Sequence, residues 1–152
     1  AYAVIKAEVE VVSIQSPADQ ITSMQTLYGF SAPEKTTSGL VFQKTLENPT
    51  GAAILTGQLV KVNYTGLLGY GYIQTDATNK VVYDSKFGSG TLTFTAGAGQ
   101  LIAGFEEAAL KLKVGEKGKA ILPYTIAYGA SGNSTIPGYS PLYFEIEVVS
   151  AQ

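Results

Sequence analysis

The stretch between Thr93 and Lys119 restricts the fold of this 152-residue chain more than any other. Four of its apolar residues recur at the spacing of a single buried helical stripe: Leu101, Phe105, Ala108 and Leu112. Gly97-Ala98-Gly99 precedes the stripe, Gly115 follows it, and strand-like segments flank both ends. Because one helix of this length is not stable alone, we expect its apolar face to pack on a sheet.

The rest of the chain alternates between strand-like segments and short turn signals, as antiparallel sheet proteins do. Segments rich in Val and Ile, or alternating in polarity, predict the strands Ala3–Ile14, Leu40–Leu46, Gln58–Leu68, Val81–Tyr83, Leu92–Thr95, Lys117–Pro123 and Leu142–Val149. Glycine and polar clusters predict a hairpin loop at Gly69–Asn79 and a turn at Gly88–Gly90. The pattern indicates an α+β domain from Gly39 to Gln152, preceded by an amino-terminal extension of residues 1–38.

One further short helix is predicted inside that extension, at Asp19–Tyr28. Ser16 or Asp19 would cap it, and Ile21, Met24 and Leu27 would lie on one side. In the helix of the Thr93–Lys119 stretch, Glu107 and Lys111 are spaced as a favourable i,i+4 pair.

Histidine, arginine, cysteine and tryptophan are all absent, which removes most classes of enzyme. Without His or Cys, the usual zinc, copper, haem and iron–sulfur ligand sets cannot form, so we expect neither metal nor cofactor. Ser-His-Asp and Cys-His catalysis are excluded, and no motif supports a Ser/Lys dyad. The net charge of −2 and the lack of a basic run argue against a nucleic-acid partner.

Six motifs follow one another in the order of a known family: VNYTGLL, VYDSKF, GQLIAGFEEAAL, VGEKGKAILP, IAYGASG and IPGYSPLYFEIEVV. The chain resembles the FKBP-type peptidyl-prolyl cis–trans isomerases, the macrolide-binding immunophilins, from about Ser38 to Val149. The resemblance implies five or six antiparallel strands curled around one short helix. It also implies isomerisation of X–Pro bonds in folding proteins, without a cofactor, with macrolides as inhibitors.

The resemblance also implies a site of ten residues at the positions that match the family's motifs. The catalytic residues would be Tyr128, Asp84, Ile102 and Phe105. The substrate-binding residues would be Tyr64, Tyr83, Leu92, Leu101, Ile136 and Phe144. In these roles Phe105 is the pocket floor, Tyr128 O–H and Ile102 N–H hold substrate carbonyls, and the others line the walls and rim.

Two alternatives to an active isomerase follow from the same residues. Phe105 stands where the family usually has tryptophan, Lys86 is the nearest cation where the family has arginine, and the hairpin after Leu68 is longer. These departures favour, as the alternative, a catalytically weak peptide-binding or chaperone module of the same fold. The second alternative is a dinucleotide-binding site, because Gly97-Ala98-Gly99 resembles the start of its glycine fingerprint. The third glycine of that fingerprint would have to stand at position 102, where this chain has isoleucine.

The segment before the first strand of the domain, TTSGLVF, is similar to bacterial exported members of the family. Together with Ala1 in place of methionine, it predicts a periplasmic protein or an outer-membrane lipoprotein. Contact with a membrane would then come only through an upstream lipid anchor, since no segment approaches the roughly 20 apolar residues of a span.

Overall fold

A six-stranded antiparallel sheet is the main body of the protein. The computed structural model describes residues 15–75 and 81–152, and at 70–75 and 81–85 it describes the backbone alone. The strands are β1 (Glu34–Lys35), β2 (Val41–Leu46), β3 (Leu59–Thr75), β4 (Val81–Thr95), β5 (Lys117–Leu122) and β6 (Leu142–Ala151). Their spatial order is β1-β2-β5-β6-β3-β4, with every pair antiparallel. The predicted sheet is therefore confirmed, while the strand predicted at Ala3–Ile14 lies outside the described residues.

The helix predicted from the apolar stripe packs on the inner face of this sheet, over β5 and β6. This helix, α2, spans Ala103–Leu110, so Leu101 precedes it and Ile102 is its N-cap residue. Strict alternation along the strands points every second side chain at the helix. The buried residues of this face include Val60, Val62, Ala120, Leu122, Leu142, Phe144, Ile146 and Val148. The α+β class with a sheet wrapped around one short helix is confirmed.

A second helix, α1 (Pro17–Leu27), covers part of the outer face of the sheet. It begins two residues earlier than predicted because Ser16 and Asp19 form a capping box and Pro17 occupies the first turn. Met24 is 1 % exposed against the outer face, whereas Leu27 is 68 % exposed. The prediction that Leu27 shares the packed side of the helix is therefore wrong.

Two glycine-containing segments that the sequence predicts as a loop and a turn belong to the strands of the β3–β4 hairpin. Gly69–Thr75, predicted as part of the Gly69–Asn79 loop, continues β3, and Gly88–Gly90, predicted as a turn, lies inside β4; residues 76–79 of the predicted loop lie outside the described residues. Gly88 pairs with Gly66 and Gly90 with Tyr64, so strand hydrogen bonding continues through both glycines. A Cβ at Gly88 would lie 3.6 Å from the Tyr64 hydroxyl, an ordinary van der Waals distance, so the space beside that ring does not itself require a glycine.

The charged residues of α2 have partners that local spacing does not reveal. Glu106 is buried and its Oε1 accepts from the Gly97 N–H, which ties the loop before the helix to the first turn. Lys111 pairs with Glu34 at 2.7 Å, and Glu107 accepts from the Ser38 hydroxyl at 2.7 Å, so the predicted Glu107–Lys111 pair is wrong. Among the described residues, no helix combines the length and the hydropathy that crossing a membrane requires.

Candidate functional site

Three aromatic rings meet between α2 and the sheet. Phe105 comes from α2, Tyr64 from β3 and Phe144 from β6, three elements that the fold brings to one point. The ring of Phe144 lies 5.0 Å from that of Phe105 and 6.2 Å from that of Tyr64, and Tyr64 lies 5.8 Å from Phe105. The two contacts of Phe105 are nearly perpendicular, at 81° and 87°, which is a favourable edge-to-face geometry. These rings form a rigid apolar wall.

A cavity of about 280 Å³ opens beside this wall. It is lined by Tyr64, Phe87, Leu92, Gln100, Leu101, Ile102, Phe105, Tyr128 and Phe144. None of these described lining residues is charged, and five of them are aromatic. A small apolar cavity with a few polar atoms suits a short apolar segment held by one or two hydrogen bonds.

Two hydrogen-bond donors belong to the lining of this cavity. Ile102 has φ −59° and ψ 137°, and its carbonyl accepts from the N–H groups of Phe105 and Glu106 at 3.0 and 3.2 Å. Within the described part of the chain, its own N–H has no acceptor, as expected at a helix start. The Tyr128 side chain is 37 % exposed, and no described residue bonds its hydroxyl. Both groups can therefore donate to a ligand.

Backbone hydrogen bonds hold the loop that carries Tyr128. The N–H of Gly129 donates to the Tyr124 carbonyl at 2.8 Å, and the N–H of Tyr139 donates to the Gly129 carbonyl at 2.9 Å. On the opposite side, Gln100 Oε1 accepts from the Thr95 N–H at 2.9 Å. This bond fixes the chain just before Leu101 and Ile102.

The structure brings together most of the residues predicted for the site. Seven of the ten line the cavity: Tyr64, Leu92, Leu101, Ile102, Phe105, Tyr128 and Phe144. Ile136 is 2 % exposed and packs in the core rather than in the lining. The side chains of Tyr83 and Asp84 lie outside the described part of the structure. Their backbones pair with Ile73 and Tyr72, further along the hairpin than Gly88.

Sequence reasoning missed two lining residues, Phe87 and Gln100. Gln100 stands in the GQLI motif directly before Leu101, so the motif itself contained the available signal. Phe87 is the last residue of the VYDSKF motif, but its inward orientation depends on how β4 pairs with β3, which the motif does not reveal.

A more open groove of about 350 Å³ lies on the outer face of the sheet and involves Lys117, Lys119, Glu145 and Glu147. Its charges are engaged with the protein itself. Lys117 pairs with Glu147 at 3.2 Å, Lys119 donates to backbone carbonyls, and Glu145 accepts from the Tyr143 hydroxyl. A hydrogen bond from Asn63 and the ion pair with Lys117 lower the pKa of Glu147. This groove is a solvated sheet surface, so the inner cavity is the candidate site.

Comparison with known proteins gives a consistent result. Residues 51–149 match the family model described as FKBP-type peptidyl-prolyl cis-trans isomerase. FK506-binding protein 2 of Dictyostelium discoideum is 36 % identical over 96 residues, covering 62 % of this chain and 65 % of that protein. FK506-binding protein 2 of Candida glabrata is 34 % identical over 123 residues, covering 78 % and 85 %.

Among solved structures, FkpA from Escherichia coli is similar to this chain with a TM-score of 0.69 and 25 % identity. The match covers 89 % of this chain and 58 % of FkpA. The chain thus spans less than two thirds of FkpA and of the Dictyostelium relative.

Proposed function

Because the chain belongs to the FKBP-type peptidyl-prolyl cis–trans isomerase family, we propose that it catalyses rotation about X–Pro bonds in proline-containing, folding protein clients. The observation that carries the proposal is that Tyr64, Phe105 and Phe144 cluster in the same cavity as the Ile102 N–H, which has no acceptor among the described residues. Such a site needs neither nucleophile nor metal, which agrees with a chain that has no histidine or cysteine.

The energetics of the reaction fit an apolar cavity. The barrier to rotation is roughly 18–20 kcal/mol because the planar amide has partial double-bond character. In the twisted transition state that conjugation is lost and the amide becomes less polar. A cavity lined by rings therefore stabilises the twisted state more than the planar states, and only this difference accelerates the reaction. The polar carbonyls on either side of the proline still need donors.

In the proposed mechanism, the prolyl ring packs on Phe105 and Phe144, with Tyr64 at the side. Ile102 N–H donates to a carbonyl next to the proline, and Tyr128 O–H donates to the other flanking carbonyl. These two bonds hold both sides of the rotating bond in a fixed geometry, which reduces the entropy lost on reaching the transition state.

The remaining roles stay predictions from the family resemblance. Leu92 and Leu101 would close the walls around the prolyl ring, and Tyr83 would add an aromatic wall. Asp84 would order the pocket and the dipoles of its neighbours. Testing Asp84→Asn against Asp84→Ala separates a charge effect from a loss of packing.

The test is isomerisation of short X-Pro-Phe peptides at low temperature, where the uncatalysed reaction takes minutes. We expect the wild type to accelerate it and Tyr128→Phe, which removes one hydroxyl only, to lower kcat/KM about tenfold. Phe105→Leu should lower it by at least as much, because the perpendicular ring contacts are lost. Leu46→Ala, which changes an exposed residue on β2, is the control.

The Ile102 N–H can be tested separately. Proline fits the φ of −59° at this position and removes only an N–H that has no acceptor in the described structure. Ile102→Val leaves three side-chain carbons, as proline does, and keeps the N–H. We expect kcat/KM of Ile102→Pro to be about tenfold below that of Ile102→Val. Equal values would contradict a role for this donor.

A well-folded wild type that gives no acceleration would overturn the enzymatic proposal. Binding of the same peptides would then support the alternative, a catalytically weak peptide-binding or chaperone module. The two relatives are named for binding FK506, so we also propose that this macrolide competes for the cavity. Inhibition of peptide isomerisation by FK506 tests that point, and Tyr128→Phe should weaken it.

The location of the protein belongs to the same proposal. The similarity of its TTSGLVF segment to exported bacterial relatives favours the periplasm, with a lipid anchor upstream as the link to a membrane. Fractionation of cells that express the complete gene product tests this, and recovery in the cytoplasmic fraction would contradict it.

A further inference from the structure

Phe87 occupies a β-bulge between β3 and β4. Gly66 pairs with Gly88, and the next residue of β3, Leu67, pairs with Lys86. Phe87 is thus the extra residue of β4 and has no partner across the strand pair. Bulges of this kind change the direction in which a side chain points, and they are frequent beside active sites.

The bulge turns the Phe87 side chain toward the cavity. Along β4, Phe94 and Leu92 point inward, so regular alternation would place odd-numbered residues on the outer face. Phe87 is odd-numbered, yet its side chain lines the cavity together with Leu92. One inserted residue produces this reversal, because it shifts the alternation of the strand by one step.

A glycine opposite the bulge leaves room for the ring. A Cβ at Gly66 would lie 2.6 Å from Cζ of Phe87 and 2.9 Å from Cε1 of Phe144. Without that Cβ, Phe87 packs edge-on against Phe144, with ring centroids 5.5 Å apart at 87°. Among the described rings Phe87 contacts Phe144 only, so it extends the wall beyond the cluster of Tyr64, Phe105 and Phe144.

We propose that Phe87 is a specificity-determining residue, whose ring contacts the side chain next to the substrate proline and ranks substrates by the size of that side chain. The inference rests on the proposed isomerase function. Three mutually contacting rings already form a surface for the prolyl ring. Phe87 adds a fourth ring that, among the described rings, contacts Phe144 alone and so extends this surface away from the other two, where it can contact a residue next to the proline. No described lining residue is charged, so the contact is apolar.

The experiment compares kcat/KM over two peptide series, one varying the residue before proline and one varying the residue after it, each with Ala, Leu and Phe. The variants are Phe87→Ala and Phe87→Leu, with Leu46→Ala as the matched control on an exposed site of another strand. Circular dichroism and thermal unfolding establish that each variant is folded. Phe87→Leu keeps an apolar side chain in the bulge and serves if Phe87→Ala is unstable.

The quantity compared is kcat/KM for the Leu peptide divided by kcat/KM for the Ala peptide of the same series. In one of the two series we expect this ratio to fall at least threefold in Phe87→Ala and to fall less in Phe87→Leu. In Leu46→Ala the ratio should stay constant. If kcat/KM of Phe87→Ala falls by the same factor for all peptides, or for no peptide, the inference is overturned. If the wild type isomerises no peptide, the proposed function fails independently. The same ratios are then read from dissociation constants measured by fluorescence anisotropy, and unchanged ratios there would overturn the role of Phe87 as well.

Discussion

Tyr28 and Tyr143 stack face to face, with ring centroids 3.8 Å apart and planes 10° from parallel. Tyr28 follows α1, and Tyr143 projects from the outer face of β6, so this pair attaches the amino-terminal extension to the sheet. Lys119 reinforces the attachment by donating to the carbonyls of Tyr28 and Gly29. Burial of Tyr143, with its hydrogen bond to Glu145, raises the pKa of its phenol above the ordinary value.

Loss of this stack should destabilise the protein without impairing catalysis. We expect Tyr28→Ala to lower the free energy of unfolding by about 2 kcal/mol, because an aromatic contact and its buried area are lost. Since the stack lies on the face opposite the cavity, kcat/KM should stay within about twofold. Urea unfolding and the peptide assay measure both quantities. Leu27→Ala, at a 68 % exposed neighbour, should change stability by less than about 0.5 kcal/mol.

Equal destabilisation by Tyr28→Ala and Leu27→Ala would contradict the docking of α1. A large loss of activity in Tyr28→Ala would contradict our proposal that residues 1–38 are an extension outside the isomerase domain proper.

Glu116 is a buried carboxylate that joins three segments. It is 2 % exposed, and it accepts from Lys44 Nζ at 2.8 Å, from Lys113 N–H at 2.8 Å and from Asn48 N–H at 3.3 Å. Burial alone would raise the pKa of this carboxyl. The hydrogen bonds, led by that from Lys44, outweigh burial and hold the pKa below its ordinary value.

The lowered pKa gives Glu116 a stabilising contribution that is complete above pH 4.5 and is lost as the pH falls through the folded-state value. Glu116→Gln should therefore lower the free energy of unfolding by about 2 kcal/mol at neutral pH. Below pH 4.5 the free energy of unfolding of this variant should fall less steeply than that of the wild type. Chemical denaturation from pH 7 to pH 3 measures this. Glu47→Gln, at an exposed carboxylate, should follow the wild-type curve, and a parallel curve for Glu116→Gln would contradict the assignment.

The alternation of polarity every two residues and the recurrence of apolar residues every three to four predicted the sheet and α2. The family motifs predicted most of the cavity lining. Those patterns are local, and tertiary packing preserved them in β2, β3, β5 and β6. The features that escaped depend on partners distant in sequence. Lys111 pairs with Glu34, and Phe87 turns inward because of the extra residue at the bulge, with Gly66 leaving room for its ring.

Loop conformation was the other feature that the sequence concealed. Ile136 is buried in the core, although it lies in the long connection between β5 and β6. Its N–H donates to Asn133 Oδ1 at 2.7 Å and its carbonyl accepts from the Asn133 N–H at 2.8 Å. A single asparagine thus closes the turn that directs Ile136 inward, and no periodicity in the sequence records such a turn.

Gly66 and Phe87 should be energetically coupled. Gly66→Ala places a methyl group 2.6 Å from Phe87 Cζ, so we expect it to cost about 1–3 kcal/mol and to displace the ring. In a Phe87→Ala background the cost of Gly66→Ala should fall by about 1 kcal/mol, with the remainder coming from Phe144. Denaturant unfolding of the four proteins in this cycle measures the coupling. Strictly additive effects would mean that the two residues are not in contact.

Gly104 should resist the substitution that helix propensity favours. Within a helix, alanine is more stable than glycine by about 1 kcal/mol. Gly104 lies in α2, however, and a Cβ there would be 2.6 Å from Leu122 Cγ and 2.8 Å from Ile126 Cδ1. The helix approaches β5 this closely only because residue 104 has no side chain.

We therefore expect Gly104→Ala to lower the free energy of unfolding by about 1–3 kcal/mol, since overpacking outweighs propensity. Moving α2 away from the sheet also displaces Phe105, so kcat/KM should fall while Leu110→Ala, at an exposed position of the same helix, leaves it unchanged. Adding Ile126→Val removes Cδ1, one of the three atoms within 3.0 Å of the added Cβ, and should recover part of the stability. A Gly104→Ala protein more stable than the wild type would mean that α2 and β5 accommodate the added methyl group, and it would contradict the close packing of α2 on β5.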